Sequence, residues 1–332
     1  MCLCRVVEKY AHFYQFAEQG TQPTMASKRG RSNRSSALSS KMKIFSKDIA
    51  FEQALIDNDI HPPGYDDVEP DNVEEIEEKL GQRRASLSPL QFSRDDFLHF
   101  KRQNNEAESE AAVMSQVIPV IIGKTNIPSG YSGLFNNLEP LFDYVPKPKP
   151  DYFNGSRPAE IRSKVRADLK HYIIPSSHAY RAVLPNMFME VKGPAGNGVE
   201  AKRQITYDLA AGARGMLKMQ SYGLDKPVFD NKACTFAASY RSEPGLLNLY
   251  AMYPTKPRNA DGKPGYRTVD IGAFILTSNL NSYCQGVGAF RNMRDLAKEK
   301  RDEFIASANV MADKQSTQSE LVSADEQPAT RD

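Results

Sequence analysis

Residues 186–193 read Asn-Met-Phe-Met-Glu-Val-Lys-Gly, an apolar run interrupted by an acid and a base two positions apart. Side chains alternate between the two faces of a strand. Glu190 and Lys192 therefore share one face, with Met187, Met189 and Val191 on the other. The apolar flanks mark a central strand, where a carboxylate left without a partner is costly. The run thus points to a site at Glu190 and Lys192, against the plainer reading of a surface ion pair on an edge strand.

The elements around this run alternate between helix and strand. Ser46 is expected to cap a short helix through residues 46–60, and Ser93 a helix with apolar positions at Phe97, Phe100, Ala112, Val113 and Val117. A strand is expected to end near Tyr152–Asn154, followed by a helix over residues 157–175 with Pro158 in its first turn. A long helix over residues 199–223 carries Ile205, Leu209, Gly212, Ala213 and Met216 as its apolar stripe, the small residues permitting close approach to a sheet. Two strands joined by a turn at Glu243–Gly245, a further strand near residues 267–276 and a helix from Leu280 to Met311 complete the pattern. This is an α/β order. The expected organisation is a disordered basic segment over 1–44, a helical and acidic connector over 45–91, a folded domain over 92–312 and a disordered tail over 313–332.

Several function classes find no support. The loop GPAGNG at 193–198 lies between strand and helix but has neither the G-x-G-x-x-G register nor a P-loop's closing Gly-Lys-Ser/Thr. No G-x-S-x-G elbow is present, and His12, His61, His99, His171 and His178 are scattered. The four cysteines, Cys2, Cys4, Cys234 and Cys284, lack zinc-finger spacing and are too few for a disulfide scaffold. With no signal-peptide pattern at the start and no long apolar run, a nuclear or cytoplasmic protein without a membrane span is expected. The net charge of +2 neither demands nor excludes a nucleic acid, so any basic surface must be local. Lys28, Arg29, Arg31 and Arg34 form one such patch, read as a solvated tail or as an import or phosphate-contacting signal; Met25 beside it is a conceivable second start. Arg-Arg-Ala-Ser at 83–86 fits a basophilic kinase site.

The chemistry converges on three residues. Upstream of Glu190 lies Lys-Pro-Lys-Pro-Asp at 147–151, so Asp151, Glu190 and Lys192 form P-D followed by E-x-K. Two carboxylates at neighbouring strand ends suit Mg²⁺ (or Mn²⁺), which takes oxygen ligands and keeps waters. Such an ion polarises a phosphate and generates hydroxide from bound water. A lysine beside them holds the attacking water or neutralises charge developing on phosphorus.

On these residues the chain resembles the PD-(D/E)xK nuclease-like superfamily and, more closely, a family of fungal proteins with that core. The stretches that carry the closer resemblance are LFNNLEPL (134–141), PKPDYFNGSRP (148–158), IIPSS (173–177), MFMEVKGP (187–194), AKRQITYDLAAGARGM (201–216) and GVGAFRNMRDLAKEKRDEFI (286–305). The resemblance implies a restriction-endonuclease-like core, a mixed central sheet flanked by helices, here with an N-terminal helical extension. It implies metal ligands at Asp151 and Glu190, with Lys192 catalytic. A further acid is expected on the preceding helix, where Glu106 and Glu110 share a face beside Glu108, and Glu110 is favoured. Gln204 is the accessory polar residue on the following helix; Tyr207 and Asp208 after it do not complete the Q-x-x-x-Y of recombination nucleases. Lys202 and Arg203 are candidate phosphate contacts.

One departure stands out: residues 156–185, between Asp151 and Glu190, form a basic insertion with Arg157, Arg162, Lys164, Arg166, Lys170 and Arg181. It is read either as a wall of a nucleic-acid groove or as a solvated cap on the sheet. The expected function is a metal-dependent phosphodiesterase acting on DNA or RNA. The alternative is an inactive nuclease-fold module for nucleic-acid or protein interaction, with regulation through Ser86 and the termini as a third role. The sequence leaves the oligomeric state open.

Overall fold

The computed structural model describes residues 45–325 except 67, 179–181 and 259–261, and for 318–325 it describes the backbone alone. The expected disorder and basic patch of 1–44, Cys2, Cys4, the last seven residues and Arg181 lie outside the described residues.

Four helical elements precede the main sheet: α1 (Ile49–Asp57), α2 (Val73–Gly81), α3 (Arg94–Glu106), and a run of α4 (Glu110–Ala112), a π turn (Val113–Val117) and α5 (Ile118–Ile122). Short strand β1 (Ile60–His61) falls between α1 and α2. Then come β2 (Ser129–Tyr131), β3 (Tyr152–Ser156), short helices α6 (Ser163–Asp168) and α7 (Lys170–Ile173), β4 (Val183–Lys192) and α8 (Gly198–Gln220). Strands β5 (Thr235–Arg241), β6 (Leu246–Thr255) and β7 (Gly265–Ile275) lead to α9 (Leu280–Asp325).

The strands form one mixed sheet in the order β1-β7-β6-β5-β4-β3-β2. β4 runs parallel to β5 and β1 parallel to β7, while the other neighbours are antiparallel. All ten residues of β4 are buried, as its apolar run requires. Its two faces feed two cores. Met187, Met189 and Val191 pack with Val113, Val117, Tyr283, Phe290 and Met293, while Phe188 packs with Ile205, Leu209 and Ala213 of α8. Glu190 and Lys192 share the parity of Phe188, so they lie on the α8 side.

Gly212 sets how close α8 comes to β4. A Cβ there would sit 2.6 Å from a Phe188 ring carbon and 2.9 Å from the Pro185 carbonyl oxygen. Replacing an interior helical glycine by alanine gains about 0.8–1.0 kcal/mol in helix propensity, whereas overpacking costs about 1–3 kcal/mol. The carbonyl belongs to the backbone of the central strand and cannot rotate away, so the clash wins. Gly212→Ala is expected to lower the urea midpoint at unchanged slope; a rise in midpoint would show that the helix relaxes freely.

Several sequence expectations need correction. α1 is preceded by Asp48 rather than Ser46. α3 stops at Glu106, because Ala107 turns extended with its methyl buried and Ser109 caps a new helix by accepting from Ala112 N–H at 3.2 Å. Glu106 and Glu110 are therefore on different helices and share no face. Ser93 does cap α3, in a capping box with Asp96. The region 157–175 breaks into a 3₁₀ turn, α6 and α7 instead of one helix. β1 and β2 were not anticipated, and α9 continues past Met311 to Asp325. Residues 45–91 carry α1, β1 and α2 and are tied to the later helices by ion pairs, Glu52 to Arg203 at 3.0 Å and Glu75 to Lys300 at 2.9 Å.

The largest correction concerns the basic insertion. β3 and β4 are antiparallel, with Tyr152 opposite Met189 and Ser156 opposite Val183. The insertion joins the Ser156–Val183 end, whereas Asp151 and Glu190 lie at the other end, about 20 Å along the strand. Its charges are also engaged locally: Arg162 pairs with Asp313 at 3.0 Å, Lys164 with Asp168 at 3.0 Å, and Arg166 donates to the Pro158 carbonyl. It caps the far end of the sheet and is no wall beside Glu190.

Candidate active site: a buried acid cluster beside Lys192

The strand pairing that displaces the insertion brings Asp151 to Glu190. Asp151 precedes the first residue of β3, and Tyr152 pairs with Met189. Reciprocal hydrogen bonds join the two strand ends: Val191 N–H donates to Asp151 Oδ2 at 2.8 Å, and Asp151 N–H donates to Glu190 Oε1 at 3.3 Å. Glu190 is 2% exposed and Lys192 7%. Lys192 Nζ stands 3.8 Å from Glu190 Oε2 and 3.8 Å from Glu110 Oε2, holding both acids at the strand end.

Glu110 arrives from the other layer. The start of α4 crosses the end of β4 at Gly193, where a Cβ would sit 2.8 Å from the Glu110 backbone nitrogen. This close approach requires glycine and lets an acid from the Met189 side reach round to Lys192. Glu110 is about half exposed at its side chain, unlike Glu190. Glu106 and Glu108 are exposed, and neither is paired with Lys192.

A residue that the sequence reading set aside completes the cluster. Asp208, in the middle of α8, is 2% exposed and faces Glu190. Burial pushes its carboxyl well above the ordinary range, while a hydrogen bond with Glu190 and the charge of Lys192 pull the other way. Glu190 is likewise raised well above its ordinary value, by burial and then by the charges of Asp151 and Asp208. Asp151 is raised to about 6, chiefly by burial, against the pull of the Val191 N–H and Lys192. Asp151, Glu190 and Asp208 are thus all shifted towards the protonated form, burial outweighing the attraction of Lys192.

Gln204 sits one helical turn before Asp208 and is half-buried; its Oε1 and Asp208 Oδ2 are both enclosed without a hydrogen-bond partner. Of its two basic neighbours, Arg203 is buried and committed to Glu52, so it is no phosphate contact. Lys202 is half-exposed and acts on Asp270. Burial pushes the Cys234 thiol up to about 12, away from the nucleophilic thiolate form. Among the described residues, no group of three or more His, Cys, Asp or Glu side chains is arranged to hold a metal ion as it stands.

Residues 98–309 match a family described as "Domain of unknown function (DUF7924)". The chain belongs to the DUF7924 family. The matched span contains Glu110, Asp151, Glu190, Lys192, Gln204 and Asp208, and so the whole cluster lies within the DUF7924 domain. It also takes in every strand of the sheet except β1. No curated protein matches the chain, and no solved structure does. Among the described residues, no helix is long and apolar enough to cross a membrane.

Proposed function

We propose that the DUF7924 domain of this chain is a metal-dependent phosphodiesterase of the PD-(D/E)xK type, with a restriction-endonuclease-like core, acting on DNA or RNA. The observation that carries the reading is the meeting of Asp151, Glu190 and Lys192 at one pair of strand ends, through the 2.8 Å and 3.3 Å hydrogen bonds between Asp151 and the Glu190–Val191 backbone and side chain. Residues 39 apart in sequence are brought together in the order P-D and E-x-K requires.

The donor chemistry fits Mg²⁺ or Mn²⁺. Asp151 and Glu190 supply hard oxygens, Asp208 Oδ2 and Gln204 Oε1 are enclosed without partners, and the acids outnumber the lysine. Asp151 and Glu190 would hold the ion, with Glu110 turning in from its half-exposed position. Bound there, the ion would polarise a phosphate and acidify a water. The chain's own residues account for the rest. Lys192 supplies a fixed ammonium beside the acids, placed to orient a water or to meet negative charge on phosphorus. Asp208 holds Glu190 from the α8 side, and Gln204 offers a neutral amide one turn away.

The test is cleavage of labelled single- and double-stranded DNA and RNA by purified protein with Mg²⁺ or Mn²⁺ and with chelator. Metal-dependent cleavage supports the reading. Failure to cleave any of the four, together with no binding of Mn²⁺, overturns it and leaves the inactive interaction module. The 2% exposure of Glu190 is the observation that favours this second reading, since a cation must enter an enclosed site to reach it.

A further inference from the structure

The motif Arg83-Arg84-Ala85-Ser86 lies outside the matched DUF7924 span, 12 residues before its start at 98. Ser86 occupies a single 3₁₀ turn (Ala85–Leu87) between α2 and α3, and its side chain is exposed. The turn is held by Leu87 N–H to Arg84 O at 3.0 Å and Ser88 N–H to Ala85 O at 3.1 Å, with extended residues on both sides. An extended-substrate enzyme must open these two backbone bonds and release the side-chain contacts of Arg84 and Ser86, with Leu87 the buried anchor of the turn.

The surroundings of Ser86 are cationic. Arg291 of α9 donates from Nη1 to Ser86 Oγ at 3.3 Å. Its Nε and Nη2 donate to the carbonyls of Ile121 at 3.0 Å and Val120 at 2.8 Å, which caps the end of α5. Arg294 takes the next carbonyl, Ile122, at 2.8 Å. Arg84 donates to Asn292 and Asp295, both at 2.7 Å. Three guanidiniums thus share one acid, Asp295, close to an exposed hydroxyl. Burial presses Arg291 below its ordinary value, and the charges of Arg294 and Arg84 press it further.

We propose that Ser86 is a phosphorylation site for a basophilic Ser/Thr protein kinase, and that Arg291 with Arg84 receives the phosphate. The γ-phosphoryl of ATP passes to Ser86 Oγ, the hydroxyl proton goes to the kinase's base, and ADP leaves. The phosphoserine adds about −1.5 to −2 charges and three acceptor oxygens beside an existing N–H donor. Charge-assisted hydrogen bonds to guanidinium are the strong ones, so the modification fastens the α2–α3 turn to α9 and to the end of α5. This inference stands independently of the nuclease reading.

The experiment incubates the folded full chain, and Ser86→Ala, with ATP and a purified kinase of Arg-Arg-x-Ser specificity. Mass spectrometry then maps the label. Wild type is expected to take one phosphate at Ser86 that the variant lacks, and its Tm to rise by about 2–4 °C, the shift that a single strong interaction gives a domain of this size. A phosphorus NMR titration of the product reads the receiving arginines directly. Pairing lowers the second phosphate pKa below its free value of about 6. Labelling only after denaturation, or labelling elsewhere, overturns the site. A Tm and phosphate pKa both unchanged on labelling at Ser86 overturn the arginine receptor.

Discussion

Lys192→Ala is expected to lower metal-dependent cleavage by about 10²–10³-fold, some 2.7–4 kcal/mol, the range for deleting one preorganised electrostatic group at a reacting centre. The lysine is 7% exposed and fixed between Glu190 and Glu110, so its ammonium needs little reorganisation when charge develops beside it. Glu190→Gln should abolish cleavage to a similar extent for a different reason. It keeps the size and the carbonyl that accepts from Asp151 N–H, and removes the charge a cation would meet. Glu190 is held well above its ordinary pKa by burial and by neighbouring acids, so replacing it by a neutral amide should not weaken the fold. The pair of readouts therefore separates chemistry from folding: Glu190→Gln is inactive at unchanged or higher Tm. Activity retained in both variants would remove the site from Glu190 and Lys192, and activity lost together with the fold would make the cluster structural.

How much of this arrangement was legible in sequence depended on whether its signal was local. The E-x-K strand was readable because the alternation in residues 187–192 survives intact, and the observed β4 only extends it to Val183. The stripe on α8 was readable for the same reason, including Gly212 against Phe188. Asp208 entered the sequence reading only as the residue that fails to complete Q-x-x-x-Y after Gln204. The available signal was its company: Ile205, Tyr207, Leu209 and Ala210 leave no exposed side to that stretch of α8, so an acid among them had to be buried. The break at Ala107 was hidden by good helix formers on both sides, although Ser109 is a proper N-cap residue. The position of the insertion could not be read at all, because it follows from the direction in which β3 pairs with β4. Arg203 looked free to touch phosphate only because Glu52 lies 151 positions away.

The buried acids also make stability depend on pH in a direction opposite to the usual salt-bridged carboxylate. In chelator, the wild-type protein is expected to lose unfolding free energy relative to Asp208→Asn as pH rises from 4 towards 7. Asp151 titrates at about 6 in the fold against an ordinary 3.8. Over that window the folded state keeps a proton that the unfolded chain has released, so stability is full below pH 4 and declines as pH rises through 6. At about 1.36 kcal/mol per pKa unit, this group alone costs about 3 kcal/mol. Glu190 and Asp208 are shifted in the same direction and add to it. Asp208→Asn removes one of the mutually repelling acids and supplies an amide donor to Glu190, so its profile should be flatter and its stability at pH 7.5 above wild type. Urea unfolding at pH 4.5 and 7.5 reads the difference, and parallel profiles for the two proteins would mean that the acids do not interact. A cation that the cluster binds must reverse the trend. Mg²⁺ or Mn²⁺ at about 100 times its Kd adds about 2.7 kcal/mol, and this gain should be smaller in Asp208→Asn because the pocket then holds one acid fewer. The same residues that destabilise the apo fold near neutral pH would thus stabilise the loaded one, which is the energetic signature expected of a cation site kept ready in a protein interior.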